Sequence, residues 1–593
     1  MPQLWEVVGG VDKGGILVRE GEATVSKQLP DRLSTGAVVE ELDRAGDRLS
    51  YQRLSGTGPE KGWVSVKISG KDLLVETDKD PRDEPASDEP EPETDEEIKA
   101  FVEARCAKEL LKPAVEWKPV DMSALEKVGK SAPGIYYGIE FPWDQPTLEK
   151  MGPAWLTKAF RTAGTMSRGN RVTKLMNIKS YIGGGNCAKL VFDVEYAKPS
   201  KMLCTGLFAK IPWPLDGKTR SDRMASSVMQ QGGELGEIST MRCLESRLPF
   251  RIPRYYFGDV SNETTNWILI TERIPFDQME GENQLDPAYE KGRDWELKGT
   301  SGEYYELLIR EGAKMAGMSR AEKLAPQTTL DKIFGNAGLR PTEHWGMGPH
   351  NTGISDAEFK AKIKMGVEFV ENTAKALFPD AVANSEFMQT YKKVLNTINV
   401  YTAEINWWCN RHPDYIAWSH GNLNVDNVFF WRTPDKRLDV GVLDWGGARI
   451  DSMGWKLWWW LYGCEYDYLN ENIDSLLKLF IKEYEEHGGP KLELDELKWQ
   501  FTLSALAQGV GLLGAVPQIY RMCPKKEWPT VKDRKDPRIV NNIDGKNTLR
   551  IYVMTFISVC RIMAEWDVPA KLEKWVAEFT ELSKIPRKTL VDC

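Results

Sequence analysis

The chain of 593 residues is too long for a single hydrophobic core, and its 41% hydrophobic and 28% charged content is typical of a folded protein with two or three domains. Its net charge of −9 provides no general attraction to nucleic acid or to an anionic membrane, so we predict neither partner. The nine scattered cysteines contain no CxxC pair, which argues against a disulfide framework and a zinc site. Without a signal segment or a run of roughly 18 apolar residues, the sequence predicts a soluble cytoplasmic protein.

Residues 1–77 contain short alternating runs of apolar and polar residues separated by glycine or aspartate turns, which predict a small all-β domain. The run Gly62, Trp63 and Val64 before the last predicted strand resembles the same part of SH3-like barrels. This resemblance implies an N-terminal SH3-like β-barrel that binds a protein partner, or that has a structural or autoinhibitory role.

Residues 78–97 are dense in Asp, Glu and Pro and almost free of apolar side chains. Such a segment buries too little surface to offset the entropy lost on ordering. We therefore predict an acidic, self-repelling linker between the N-terminal domain and the remainder of the chain.

Strand and helix signals alternate from residue 98 to residue 275. The runs "VTKLMNIKSY", "AKLVFDVEYA", "GLFAKIP", "RYYFGDV" and "NWILITERI" predict strands, and "GGELGEISTMRCLESRL" predicts one amphipathic helix. Residues 276–593 are mainly helical in pattern, with short β-like runs only at 416–431 and 438–446. The predicted fold class is therefore α+β, with a small antiparallel-sheet lobe followed by a helical lobe.

A triple glycine, Gly183, Gly184 and Gly185, lies between the first two of these strands. Main-chain N–H groups there can approach phosphate oxygens without interference from Cβ atoms. Most Gly-rich hairpins are ordinary turns, so this motif indicates phosphate binding only in combination with the other motifs.

Two further motifs follow in the chain. Lys210 ends the apolar strand "LFAKIPW", and Glu237 lies on the predicted helix, with Glu234 one turn earlier as the alternative. The run "SHGNLNVDN" contains His420, Asn422 and Asn427, and the run "VLDWGG" places Asp444 directly after a short apolar strand.

In this order, the motifs resemble those of the aminoglycoside phosphotransferase and choline kinase-like families, over residues 100–590. The resemblance implies a two-lobed protein-kinase-like fold that binds ATP and Mg²⁺. In such a fold Lys210 contacts the α- and β-phosphates and pairs with Glu237, and the triple glycine approaches the phosphates. Asn427 and Asp444 are the implied Mg²⁺ ligands.

The motifs depart from the family at two positions. Asn422 stands where the family has the aspartate that takes the proton of the acceptor hydroxyl, and Lys456 stands where relatives often have an Asp-Leu pair. The amide oxygen of Asn422 can accept a hydrogen bond from a hydroxyl but cannot take its proton. We expect Asp426 not to replace it, because Asp426 adjoins Asn427 and points elsewhere. We expect His420 to order the loop rather than to act as a base.

The sequence is consistent with two functions. The first is an ATP- and Mg²⁺-dependent small-molecule phosphotransferase, with an amino alcohol or amino sugar as the hydroxyl acceptor and residues 326–353 as a lid or substrate loop. The second is a nucleotide-binding pseudokinase that acts as a scaffold or regulator through its N-terminal barrel. Asn422 favours the second function, since a positioned base contributes about 10²–10⁴-fold to the rate.

Overall fold

The computed structural model describes residues 3–77, 90–113, 115, 127–181, 187–213, 231–335, 354–544 and 547–593. The chain divides into two compact units. The first consists of Met1–Thr94, Gln145–Met176 and Asp193–Thr205. The second consists of Asp95–Asp144, Asn177–Phe192 and Gly206–Cys593.

The N-terminal part of the first unit is all β. Its strands are β1 (Leu4–Val7), β2 (Ile16–Arg19), β3 (Gln28–Leu33), β4 (Val38–Ala45), β5 (Arg48–Arg53), β6 (Lys61–Ser65) and β9 (Leu74–Glu76), with a small hairpin of β7 (Lys67–Ile68) and β8 (Lys71–Asp72). The seven longer strands form one sheet in the order β3-β2-β6-β5-β4-β1-β9. Alternate residues of these strands fill a common core that includes Trp5, Val18, Leu49, Tyr51 and Val64.

The predicted SH3-like barrel is supported only in part. The strands and the alternating burial agree with the prediction, but the pairing of the described residues runs from β3 to β9 as a curled, open sheet rather than as a closed barrel. Register shifts in the β2–β3 and β4–β5 pairs contribute to this curl. Gly62 lies opposite Tyr51 in the sheet and leaves room for Val18, whose Cγ1 would lie 2.4 Å from a Cβ atom at position 62.

The end of the predicted linker is structured. Helix α1 (Asp95–Leu110) begins inside the segment predicted as linker. Its first turn carries Asp95, Glu96 and Glu97, and negative charge near a helix N-terminus is favourable. Sequence composition did not reveal this start because the same acidic residues are typical of both a linker and a first helical turn.

The sheet that carries the first predicted motifs has five strands in the order β10-β11-β12-β14-β13. They are β10 (Val172–Tyr181), β11 (Ala188–Tyr196), β12 (Gly206–Ile211), β13 (Tyr255–Val260) and β14 (Trp267–Glu272). The pair β12–β14 is antiparallel, with Lys210 opposite Leu269. Helix α2 (Gln145–Thr162) precedes the sheet, and helix α3 (Gln231–Leu244) connects β12 to β13.

The remainder of the second unit is mainly helical. Its helices are α4 (Ser301–Arg320), α5 (Gln327–Phe334), α6 (Asp356–Glu368), α7 (Ser385–Val400), α8 (Thr402–Asn410), α9 (Met453–Leu461), α10 (Tyr466–Glu486), α11 (Leu494–Leu513), α12 (Val516–Met522), α13 (Pro537–Val540), α14 (Leu549–Glu565) and α15 (Val568–Ser583). A four-stranded sheet joins β15 (Met279–Glu280), β16 (Asn283–Leu285), β18 (Val428–Arg432) and β19 (Leu438–Val442). Two-stranded sheets pair β17 (Ile416–Ser419) with β20 (Arg449–Ser452), and β21 (Ile543–Asp544) with β22 (Asn547–Thr548).

The predicted α+β class, with a small antiparallel sheet followed by a helical lobe, is confirmed. Some helix limits differ from the pattern. The sequence pattern predicts one helical segment over 547–584, and the structure has two helices there, because Asp567 has a left-handed backbone (φ 54°) and a proline lies in the first turn of α15. Strand β20 was missed because its four residues adjoin α9 directly, and it is recognisable only through its pairing with β17.

Among the residues that the structure describes, no single helix is both long and apolar enough to cross a membrane. The bent pair Leu494–Leu513 and Val516–Met522, with an angle of 61° between its members, passes that test by length and composition.

Candidate functional site

Lys210 and Glu237 form a buried ion pair. Lys210 lies near the end of β12, and its Nζ donates to Oε1 and Oε2 of Glu237 at 2.9 and 2.8 Å. The two residues are 9% and 2% exposed. Glu237, one of the two glutamates considered from the sequence, therefore contacts the lysine. A paired and doubly hydrogen-bonded charge of this kind holds helix α3 in register with the sheet.

Asp444 completes this cluster from the other lobe. Its Oδ1 accepts from Lys210 Nζ at 2.5 Å, while 54% of its side chain is exposed. The charge of Lys210 lowers the pKa of the Asp444 carboxyl to about 2, against the opposing effect of desolvation, and the charge of Lys189 acts in the same direction as Lys210. Asp444 is therefore a carboxylate at any physiological pH. Lys189 on β11 is a basic residue of this site that the sequence analysis did not single out.

The backbone of Asp444 is in the left-handed region, with φ 56° and ψ 62°. Asp tolerates this conformation better than most residues because its short side chain can satisfy local groups, but such backbones are concentrated at functional sites. The conformation turns the chain sharply after β19, so that Trp445 donates its main-chain N–H to Glu237 Oε1 at 3.3 Å. Helix α3, strand β12 and the loop after β19 therefore converge on one lysine and two carboxylates.

His420 is a buried, neutral residue in this structure. Its Nδ1 accepts from the main-chain N–H of Asn422 at 3.0 Å, so the proton is on Nε2, which donates to Leu443 O at 2.9 Å. Burial lowers the pKa of the imidazole to about 4. Nε2 thus joins the 420–427 loop to the residue before Asp444, and Nδ1 makes a contact within the loop. This geometry corresponds to a loop-ordering role and leaves neither nitrogen for a substrate.

Close backbone packing joins the same two loops. A Cβ atom at Gly421 would lie 2.3 Å from Gly447 O, so only glycine allows this approach. Trp445 is fully buried, stacks on Trp418 with ring centroids 5.8 Å apart, and also lies against the ring of Phe250. The aromatic residue after Asp444 therefore anchors the loop in the core instead of facing a ligand.

Asn427 is fixed by its amide nitrogen. Its Nδ2 donates to Asn422 O at 2.7 Å, and its main-chain oxygen accepts from Leu443 N at 2.8 Å. Within the described ranges, Asn427 Oδ1 and Asp444 Oδ2 accept no hydrogen bond. Two oxygen atoms on adjoining loops are the donor set that Mg²⁺ prefers, so these residues fit a divalent cation. The described residues contain no group of three or more His, Cys, Asp or Glu side chains with metal-binding geometry.

The side chain of Asn422 makes a different contact from the one expected from the sequence. Its amide oxygen, expected to accept from a substrate hydroxyl, accepts a short hydrogen bond from Asn424 Nδ2. Asp426, excluded as a replacement base, forms a 2.9 Å ion pair with Lys291. Lys456 is fully buried and donates to Ser419 O and Oγ at 3.0 and 2.9 Å and to Arg449 O, so it links β17 to β20.

The structure thus brings Lys210, Glu237 and Asp444 into direct contact and places Asn427, His420 and Asn422 on the adjoining loop. Gly183, Gly184 and Gly185 lie outside the described residues. The proposed lid at 326–353 begins with helix α5, and its part at 336–353 also lies outside them.

No family model matches the chain, and no curated protein sequence matches it. Solved structures do match. A microcompartment-associated aminopropanol kinase is 10% identical, with a TM-score of 0.33, and the match covers 68% of this chain and 94% of that one. A Plasmodium vivax ethanolamine kinase is 12% identical, with a TM-score of 0.32 and coverage of 66% and 83%. APH(2")-IIia, solved with GDP and kanamycin, is 14% identical, with a TM-score of 0.31 and coverage of 60% and 91%.

Proposed function

We propose that the second unit binds a Mg²⁺–ATP complex and is a phosphotransferase-like protein for a small hydroxyl-bearing molecule. The observation that carries this proposal is the contact of Lys210 with both Glu237 and Asp444. A buried ammonium held by two carboxylates, one of them half exposed, is an expensive arrangement for stability alone, because each ion loses its hydration. It is suited to a site where the ammonium binds phosphate oxygens and the half-exposed carboxylate binds a cation.

Each residue has a distinct task in this proposal. Lys210 binds the phosphate oxygens of the nucleotide, and Glu237 keeps its ammonium in place. Asp444 and Asn427 hold Mg²⁺, which neutralises charge on the phosphate oxygens during transfer. His420 orders the loop through its contact with the oxygen of Leu443, the residue before Asp444. An amino alcohol or amino sugar is the proposed class of acceptor.

The alternative is a nucleotide-binding pseudokinase that acts as a scaffold or regulator. The observation that favours it is the amide at position 422, which cannot take the proton of an acceptor hydroxyl. The same Lys210, Asn427 and Asp444 serve nucleotide binding in both functions. The protein partner of the N-terminal sheet and the cytoplasmic location stay predictions.

Binding of Mg²⁺–ATP tests the proposal directly. At about a hundred times its dissociation constant, the ligand should stabilise the protein by roughly 2.7 kcal/mol, visible as a rise in melting temperature. Lys210→Met and Asp444→Asn should remove most of this rise, whereas Lys478→Met, at an exposed position of α10, should keep it. A melting curve of the wild type that millimolar Mg²⁺–ATP does not shift would refute the proposal.

Turnover separates the two functions. Release of ADP in the presence of candidate amino alcohols and amino sugars, with a new phosphate ester detected by mass spectrometry, would establish the transferase. Binding of Mg²⁺–ATP without such a product for any acceptor would favour the pseudokinase.

A further inference from the structure

The direction of the Asn422 amide follows from a chain of hydrogen bonds. Asn424 is fully buried, and the same terminal atom of its side chain contacts both Trp459 O and the terminal atom of Asn422. A main-chain carbonyl can only accept, so the Asn424 atom against Trp459 O must be the nitrogen. The Asn422 atom against that nitrogen must then be its oxygen. Trp459 therefore removes the usual ambiguity between the two orientations of an amide.

This orientation decides which atom of Asn422 is presented to a ligand. Its oxygen is engaged by the buried Asn424, whereas the side chain as a whole is partly exposed. Within the part of the chain that the structure describes, no residue accepts a hydrogen bond from Asn422 Nδ2. The accessible atom is therefore an N–H donor. A donor at this position can hold an approaching oxygen through one of its lone pairs, but it cannot take the proton that the oxygen loses when it attacks phosphorus.

We propose that Asn424 is a positioning residue that presents Asn422 to the ligand as a hydrogen-bond donor, so that the wild-type loop holds an acceptor oxygen without activating it. The same contact would hold a carboxylate at position 422 equally well, since Asn424 would donate to one carboxylate oxygen and leave the other accessible. This inference rests on the proposed function, because it concerns the acceptor side of the same site.

The position of Asn424 depends in turn on Gly463. A Cβ atom at Gly463 would lie 2.6 Å from Asn424 Oδ1 and 2.8 Å from Lys291 Cβ. Any other residue at position 463 would displace the Asn424 side chain or the Lys291 backbone. Gly463 is thus part of the support of the 420–427 loop although it lies in a different segment.

The chemistry of the test is hydrolysis of ATP by Asn422→Asp. A water oxygen forms a bond to the γ-phosphorus while the bond from that phosphorus to the bridging oxygen breaks. ADP leaves with the electron pair, and the water proton passes to the new carboxylate. No co-reactant other than ATP, Mg²⁺ and water is required, so the measurement does not depend on the identity of the acceptor.

The experiment compares wild type, Asn422→Asp, Asn424→Leu and the double variant for Mg²⁺–ATP affinity, hydrolysis rate and pH profile. Asn422→Asp should raise hydrolysis by roughly 10²–10⁴-fold. The double variant should lose at least about ten-fold of this gain, and the acid limb of its pH profile should move to higher pH, because its carboxylate no longer accepts from Asn424. The affinity for Mg²⁺–ATP should stay within about three-fold throughout. Asn372→Leu, at an exposed position, is the matched control and should leave the gain intact.

Two results would overturn the inference. One is a double variant whose rate and pH profile equal those of Asn422→Asp. The other is Asn422→Asp that binds Mg²⁺–ATP with wild-type affinity and hydrolyses it no faster. If Asn424→Leu does not fold, Asn424→Ala replaces it, since this smaller side chain fits the site and cannot donate. Loss of Mg²⁺–ATP binding in the wild type would instead refute the proposed function, so the two failures are distinguishable.

Discussion

Lys210 and Asp444 are 234 positions apart in the chain, yet the ammonium of one lies 2.5 Å from the carboxylate of the other. The same ammonium binds both carboxylate oxygens of Glu237. One lysine thus joins a strand, a helix and the loop after β19. The position of its ammonium depends on the negative charges of both Glu237 and Asp444 and on their relative strength as partners.

The first prediction concerns that balance. Glu237→Gln should keep the shape of the side chain and remove its charge, while the contact of Lys210 with Asp444 remains. We expect the unfolding free energy to fall by about 1–3 kcal/mol, the cost of weakening a buried hydrogen bond to a charge. Mg²⁺–ATP affinity should fall as well, because the ammonium is then held by the residue proposed to bind the cation. Chemical denaturation and calorimetric titration measure the two effects.

A matched control for this variant is Glu263→Gln, at an exposed position of the turn before β14. It should change neither quantity. Equal behaviour of the two variants would show that Glu237 is no more than a surface charge.

The second prediction is a pH dependence that originates at His420. Its folded-state pKa, about 4, lies below the ordinary value of 6.5 because burial opposes the charged form. As pH falls from 6.5 to 4, the unfolded chain takes up a proton that the folded chain does not, so the folded state loses stability over this window. The loss is at most about 3 kcal/mol. Denaturation at several pH values should show this slope, and His420→Gln should flatten it.

The exposed His412 provides the comparison for this prediction. His412→Gln should keep the acid slope of the wild type. If His420→Gln also keeps it, another group is responsible for the acid sensitivity.

The local sequence pattern predicts the main helices and strands and the order of the site motifs along the chain. Short apolar or alternating runs predict β10 to β14, and the helical period predicts α3 and most helices of the second lobe, because both signals are local. Lys210 and Asp444 were identified by their positions at the ends of apolar strands, and the structure brings them together. Their roles with nucleotide and metal stay predictions.

The features that were missed depend on distant partners. The orientation of Asn422 is set by a carbonyl of α9 through Asn424, and no local pattern reports such a contact. Closure of the N-terminal sheet depends on whether β3 meets β9, which alternation within single strands does not determine. Lys189 was overlooked because a lysine that alternates with buried residues on a strand reads as a solvated charge.

The third prediction concerns a buried charge network between α1 and α3. Glu109 on α1 and Arg242 on α3 are 4% and 5% exposed and form a short ion pair. Arg105 on α1 forms a second short ion pair, with Glu245, and donates to Arg242 O at 3.3 Å. Glu109→Met should therefore leave Arg242 buried without its carboxylate, at a cost of about 3–5 kcal/mol in unfolding free energy.

The double variant Glu109→Met with Arg242→Met should recover much of this loss, since a well-packed apolar pair can replace a buried ion pair. Because α3 also carries Glu237, the single variant should weaken Mg²⁺–ATP binding and the double variant should restore it. Glu486→Gln, which removes an exposed pair with Lys482, is the control and should cost no more than about 1 kcal/mol. A single variant as stable as this control would show that the network is not buried in solution.

The last prediction tests where the first unit ends along the chain. Glu91 lies within the predicted acidic linker, yet it is 7% exposed, and its Oε1 accepts from the main-chain N–H of Ser167 at 3.1 Å. The next residue accepts at its main-chain oxygen from Ser200 Oγ at 3.2 Å, so residues 91 and 92 are fixed to two other segments of the same unit. Glu91→Ala should leave the buried N–H of Ser167 without an acceptor and should cost about 1–3 kcal/mol, whereas Glu91→Gln keeps an acceptor oxygen and should stay close to wild type. Glu96→Ala, at an exposed position of α1, controls for the loss of one negative charge. Thermal unfolding measures the effect. If Glu91→Ala unfolds at the same temperature as the wild type, the linker extends through residue 91, as composition alone predicted.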